Sequence, residues 1–288
     1  MNKQSSRLSI ALATVMVVSL LMPVPAAGQA PVADATVADA GAFTPPRTAD
    51  GQPDLQGFWR VTPGGSYNIQ DLEMHWIYQR ATPNPDVRGM SRIVDPPDGK
   101  LPYQPWAAAK AKMIFDTHTE PTPETINPDA RCFMQGVPHH LYNRETEIFQ
   151  TPDSVAIFNM AHHTFRVIPL DGRPHIPEPI KLWMGDSAGH WEDDTLVVEV
   201  TNHNDQTRFD VVGDFHSDAL TVSERFVLVD ADTIQYTATI EDPKVFTRPW
   251  TIAFRLVRDK EYGDELWEEA CYEGNARTLE LMLNRPGR

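Results

Sequence analysis

Between Lys181 and Glu273 apolar and polar positions alternate with a period of two, in a meander of short strands that begins at Glu145. Alternation of that kind puts one face of a strand in a core and the other in water. It predicts strands at Glu145–Gln150, Ser154–Met160, His163–Leu170, Ile180–Asp186, His190–Glu192, Thr195–His203, Leu220–Val229, Thr233–Glu241, Trp250–Val257 and Leu266–Tyr272. In Thr195–His203, for instance, Leu196, Val198 and Val200 share one face, while Val197, Glu199 and Thr201 share the other. Turn residues separate the runs, as at Thr151-Pro152-Asp153, Asp171-Gly172 and Asp230-Ala231-Asp232. Helix signals are nearly absent. The expected fold class is all-β, an antiparallel meander closing into a barrel, with a two-sheet sandwich as the alternative.

Upstream the pattern changes. Asp54–Val61 reads as a first strand, and residues 60–144 then form a Pro-rich insert with turn chemistry at Asn84-Pro85, Asp95–Gly99 and Pro121–Pro123. One helix is predicted at Gln104–Phe115, with Pro105 in its first turn and Trp106, Ala109, Met113 and Ile114 on its buried face. A weaker helix is predicted at Ile69–Arg80. The insert has too few regularly spaced apolar residues for a core of its own, so it is expected to wrap over the barrel.

Gly57-Phe58-Trp59 resembles the Gly-x-Trp signature that opens the first strand of lipocalins and related calycin barrels. The resemblance implies a lipocalin-like barrel in which Trp59 closes one end and an Arg from the last strand stacks on it. The insert departs from that family, whose chain goes straight to its second strand. Three further segments, Trp191–Asn202, His216–Phe226 and Glu241–Thr251, resemble a family of exported bacterial proteins with the forms W-E-G-D-T-L-V-V, H-S-x-x-L-x-V-x-E-R-F and D-P-x-x-(Y/F)-T-x-P-W-T. Here Asp193 stands at a usual Gly and His203 at a usual Phe. That likeness implies the fold unit and export, and it carries no reaction.

The N-terminus bears on location. Lys3 and Arg7 precede an apolar run from Leu8 to Met22, and Gly28 and Ala30 occupy the −3 and −1 positions of a cut after Ala30. Residues 1–30 read as a secretory signal peptide, the apolar run falling short of the ~20 residues that span a bilayer. A periplasmic or secreted protein without membrane insertion after signal removal is expected. Residues 31–53 read as a flexible leader, and 54–288 as one barrel domain. Loss of Lys3 and Arg7 takes the formal charge from −15 to −17, so nucleic acid is not an expected partner. In an oxidising compartment Cys132 and Cys271 are expected to pair; a reactive Cys132 is the competing reading. A bridge closing so long a loop is worth about 4–5 kcal/mol on the chain-entropy model.

Among the ten histidines there is no H-x-H or H-E-x-x-H, and no C-x-x-C accompanies them, so the specific zinc signatures are missing. No Gly-rich phosphate loop is present, and no cofactor is expected. Glu224 interrupts the apolar face Leu220, Val222, Phe226, Leu228, where a carboxylate is either paired, for example with an Arg of the next strand, or proton-active. His216 sits just before that strand, expected to be oriented by Asp205 or Asp214. His163, on a face with Phe165 and Val167, is the third candidate proton-transfer group. Arg173, Tyr142, Trp106 and Asp205 are candidate substrate contacts, with Trp76 as a possible lid residue. The expected function is cofactor-free acid–base chemistry of lyase, dehydratase, isomerase or cyclase type on a small apolar or aromatic molecule. The alternatives are a non-catalytic carrier of such a ligand and a metal-dependent enzyme built on scattered histidines.

Overall fold

Period-two alternation becomes ten strands of one antiparallel sheet. The computed structural model describes residues 43–74, 87, 89–118, 120–260, 271 and 280, all within the contact-defined unit Pro31–Arg288. The expected signal peptide, most of the leader, Trp76 and all of the expected strand Leu266–Tyr272 except Cys271 lie outside the described residues. In chain order the elements are β1 (Gly57–Thr62), β2 (Ile93–Asp95), α1 (Pro105–Asp116), β3 (Thr146–Thr151), β4 (Ser154–Asn159), β5 (Thr164–Pro169), β6 (Asp186–Glu192), β7 (Thr195–Thr201), β8 (Thr221–Asp230), β9 (Thr233–Glu241) and β10 (Trp250–Arg258). The strands run in the order β5-β4-β3-β1-β10-β9-β8-β7-β6, and β2 pairs with β10 beyond the reach of β1.

The two ends of this path, β5 and β6, come together, so the meander is a nearly closed barrel. A Cβ on Gly189 of β6 would lie 2.7 Å from Ile168 Cγ2 and 2.9 Å from Leu170 Cδ2, so only glycine permits this approach. Inward positions of β8, β9 and β10 (Val222, Phe226, Leu228, Ile234, Tyr236, Ile240, Trp250, Ile252, Phe254, Leu256) are all buried. Each such side chain is worth about 1.5–3 kcal/mol on leaving water.

One end of the barrel carries the arrangement that the Gly-x-Trp resemblance implies. Trp59 is fully buried and pairs in register with Arg258 at the end of β10, the last described strand. The Arg258 guanidinium lies 4.3 Å from the Trp59 ring and donates to the Gln56 carbonyl at 3.0 Å. Gly57 has φ +121°, and a Cβ there would collide with that guanidinium, which gives both halves of the signature a physical reason.

The insert is woven into the barrel. It supplies β2, and a 3-10 turn at His139–Tyr142 drives Leu141 and Tyr142 into the core. Arg92 is buried over the rings of Tyr142 (4.9 Å) and Phe254 (5.2 Å). Burial lowers its pKa to about 10, so it stays charged at neutral pH. The helix forms where expected but turns another face inward: Ala107, Ala111 and Ile114 are buried, Ala109 is exposed, and Trp106 and Met113 are 51% and 48% exposed. Small alanines allow close packing, while Trp106 donates Nε1–H to the Lys244 carbonyl at 3.2 Å at the edge of the domain.

Three other expectations are corrected. Residues 69–74 form turns, without the start of a helix. Ile180–Asp186 is not a strand before Asp186; Asn202 Nδ2 donates to the carbonyls of Ile176, Pro177 and Ile180, holding the segment by side-chain bonds. Cys271 has helical backbone, not extended. The Cys132–Cys271 disulfide itself is present, with a Cα–Cα distance of 5.7 Å. Among the described residues no helix is long and apolar enough to cross a membrane.

Candidate functional site

Inside the barrel, Glu224 is fully buried and meets Arg166 of β5, across the seam. The partner is thus not an Arg of the adjacent strand. Arg166 Nη1 donates to Glu224 Oε1 at 3.0 Å, Nη2 donates to Oε2, and Nε donates to Ser187 Oγ at 2.9 Å. Tyr236 adds its hydroxyl to Oε1 at 2.8 Å. Such a bidentate, three-donor arrangement satisfies the buried charges. It also fixes the facing of β5: Thr164, Arg166 and Ile168 point inward, whereas Phe165 and Val167 are exposed. The face shared with Phe165 and Val167 is therefore the outer one. His163 belongs to a 3-10 turn that leads into β5, and its side chain lies outside the described part.

At the rim, the loop from β7 to β8 (residues 202–220) is held by a pair of buried carboxylates. Asp210 accepts the backbone N–H groups of Ile69, Gly213 and Asp214 at 2.9–3.1 Å. Asp214 accepts Gln70 Nε2 and the Tyr103 hydroxyl at 2.9–3.1 Å. Burial, and for Asp210 also the neighbouring Asp214 charge, pushes both carboxyls up.

His216 hangs from this loop. Its Nδ1 lies 2.9 Å from the Ser217 carbonyl and its Nε2 lies 2.7 Å from Thr207 Oγ1. A carbonyl can only accept, so Nδ1 carries the proton and Nε2 presents a lone pair to the Thr207 hydroxyl. Behind Ser217, Asp242 accepts its backbone N–H at 2.6 Å and its hydroxyl at 2.9 Å. His203, wholly buried, stands edge-on to His216 with ring centroids 5.9 Å apart. Neither nitrogen of His203 has a hydrogen-bond partner among the described residues. His139 and His140 follow the same pattern, each with Nδ1 on a backbone carbonyl (Arg208 at 2.8 Å, Gly136 at 3.3 Å) and Nε2 unpartnered among the described residues. Burial lowers the pKa of all four histidines, so they are neutral at pH 7.

Of the other candidates, Tyr142 is joined to this cluster through Phe209: its hydroxyl donates to the Phe209 carbonyl at 2.6 Å, and the Phe209 ring lies 5.3 Å from His216. Trp106 touches Phe215, the residue before His216, at 5.9 Å. Asp205 is exposed and bonded to Gln206, reaching His216 only through its charge, while Arg173 is exposed and ion-paired with Asp171. The groups that orient His216 are Ser217 and, behind it, Asp242, in place of the expected Asp205 or Asp214. Thr207 and Asp242 escape the periodicity argument, although Asp242 and His216 each stand at the head of a motif segment. No family model matches the chain, and no curated protein is significantly similar to it.

Proposed function

We propose that the β7–β8 rim is a proton-transfer site acting on a small apolar or aromatic molecule, without a redox cofactor, by elimination, hydration, isomerisation or cyclisation. The observation that carries this reading is the His216 imidazole, neutral and tautomer-locked, with its Nε2 lone pair on the Thr207 hydroxyl. A base kept neutral in a low-dielectric site is ready to accept a proton at pH 7. His216 is assigned the base, with Thr207 as its relay, and His203 the second acid–base group. His163 is retained as a third, to be read by His163→Ala. The Phe209 ring lies 5.3 Å from His216, and the Tyr142 hydroxyl bonds the Phe209 carbonyl, aromatic neighbours that favour an apolar or aromatic ligand. The Glu224–Arg166 pair is assigned to holding the seam beneath the site. The disulfide supports a location outside the reducing cytosol, and with the N-terminal pattern a periplasmic or secreted one.

Because every reaction in this class makes or breaks a C–H or O–H bond, solvent deuterium is the direct reporter. The protein is incubated in D2O with a panel of aromatic and alicyclic ketones, enols and alcohols, and products are read by mass spectrometry. Wild-type chain is expected to place deuterium at carbon in at least one compound, and His216→Ala to lose about 100-fold or more of that rate. Binding of panel members without any deuterium incorporation would replace the enzyme with the carrier of a small hydrophobic ligand.

A further inference from the structure

The disulfide lies beside a histidine that the rim site does not use. Cys132, Cys271 and His162 each offer a ligand atom, and the three atoms lie within 4.8 Å of one another. His162 Nε2 is bonded to Asp129 Oδ1 at 2.6 Å, and Gln135 Nε2 donates to the same oxygen at 2.7 Å. A carboxylate that takes one ring N–H of an imidazole leaves the lone pair on the other nitrogen, the orientation found when histidine binds a metal. Both Cys132 (φ 61°) and His162 (φ 54°) have left-handed backbone, rare for residues with a Cβ. Strained conformations of this kind cluster at functional positions. All three residues are partly buried.

We propose that Cys132, Cys271 and His162 form a redox-gated zinc site, closed as a disulfide and opened by a dithiol. In the opening step the disulfide takes two electrons and two protons from the dithiol, which itself becomes the disulfide. Zinc then displaces the proton of each thiol to solvent and binds two thiolates and the imidazole. Two sulfurs, each about 2.3 Å from zinc at a tetrahedral angle, stand about 3.8 Å apart. Freed thiols reach that separation by small side-chain rotations, without rebuilding the backbone. Two thiolates and one imidazole suit zinc over calcium or magnesium, and three protein ligands leave the fourth position open. Asp129 acts as a positioning residue through His162.

The test uses the full chain, oxidised or reduced with a dithiol that is then removed under anaerobic conditions. Zinc is titrated in competition with a chromophoric chelator, and cobalt is used as a spectroscopic substitute. The reduced protein is expected to bind one zinc per chain, and the oxidised protein none. Cobalt should give thiolate charge-transfer bands with tetrahedral ligand-field intensity. Cys132→Ser should abolish the site, His162→Ala should weaken zinc at least tenfold, and Asp129→Asn should weaken it about 10-fold or more. The double variant Cys132→Ser/Cys271→Ser, followed by far-ultraviolet circular dichroism, reports whether the chain folds without the bridge. Equal zinc affinity in the oxidised and reduced proteins would overturn the proposal. So would a reduced chain that unfolds and is not restored by zinc.

Discussion

At the scale of single residues, the barrel interior depends on one ion pair. Arg166 and Glu224 are both removed from water and satisfied by each other, Ser187 and Tyr236. Removing one partner leaves a buried charge alone, whereas removing both leaves none. Arg166→Met is therefore expected to cost about 3–5 kcal/mol, read from urea denaturation. Arg166→Met/Glu224→Leu should cost clearly less than the sum of its single changes. Additive losses would mean that the pair is not the coupled unit that its geometry describes. His203 carries a different cost, since two ring nitrogens are buried without partners among the described residues.

Strand by strand, the seam between β5 and β6 is the critical contact, because the barrel closes there through the bare backbone of Gly189. Gly189→Val would force Ile168 and Leu170 apart. A loss of about 1–3 kcal/mol is expected from overpacking, measured as a lower denaturant midpoint; an unchanged midpoint would show that β5 and β6 do not meet. Most strands are legible from alternation alone, since one face of each is core and the other is water. Residues 180–185 mislead because they form only the isolated bridge of Leu182 with His203, while the Asn202 amide holds Ile180 and the preceding Ile176 and Pro177 by their carbonyls. The buried face of α1 misleads because side-chain size, which periodicity does not weigh, puts Ala107 and Ala111 inward and Trp106 outward. His216 is visible as a histidine before an apolar strand, but its neighbours come from afar. The β8–β9 register, Thr221 opposite Glu241, carries Ser217 and Asp242 to the same end of the hairpin. Reading that register first would have found Asp242. Thr207 has no such signal, because only the folded course of the rim loop brings it to Nε2.

For the molecule as a whole, closure at one end by Trp59 and Arg258 and at the side by Gly189 leaves the rim loop as the place where titratable groups gather. Four neutral buried imidazoles there make the fold sensitive to acid. Their folded-state pKa values lie below the ordinary 6.5. As pH falls from 6.5 towards those values, the unfolded chain binds protons that the folded chain refuses, so stability declines. The Asp210–Asp214 pair has the opposite sign: with folded values above 3.8, its contribution is largest in acid and is lost as pH rises through those values. The central claim, a neutral base fixed at the rim, is tested most directly by nitrogen-15 NMR of the histidine rings across pH 4 to 8. His216 is predicted to be neutral at pH 6.5, with its proton on Nδ1, and to titrate only at lower pH. A protonated His216 ring at pH 6.5, or a proton found on Nε2, would contradict the account.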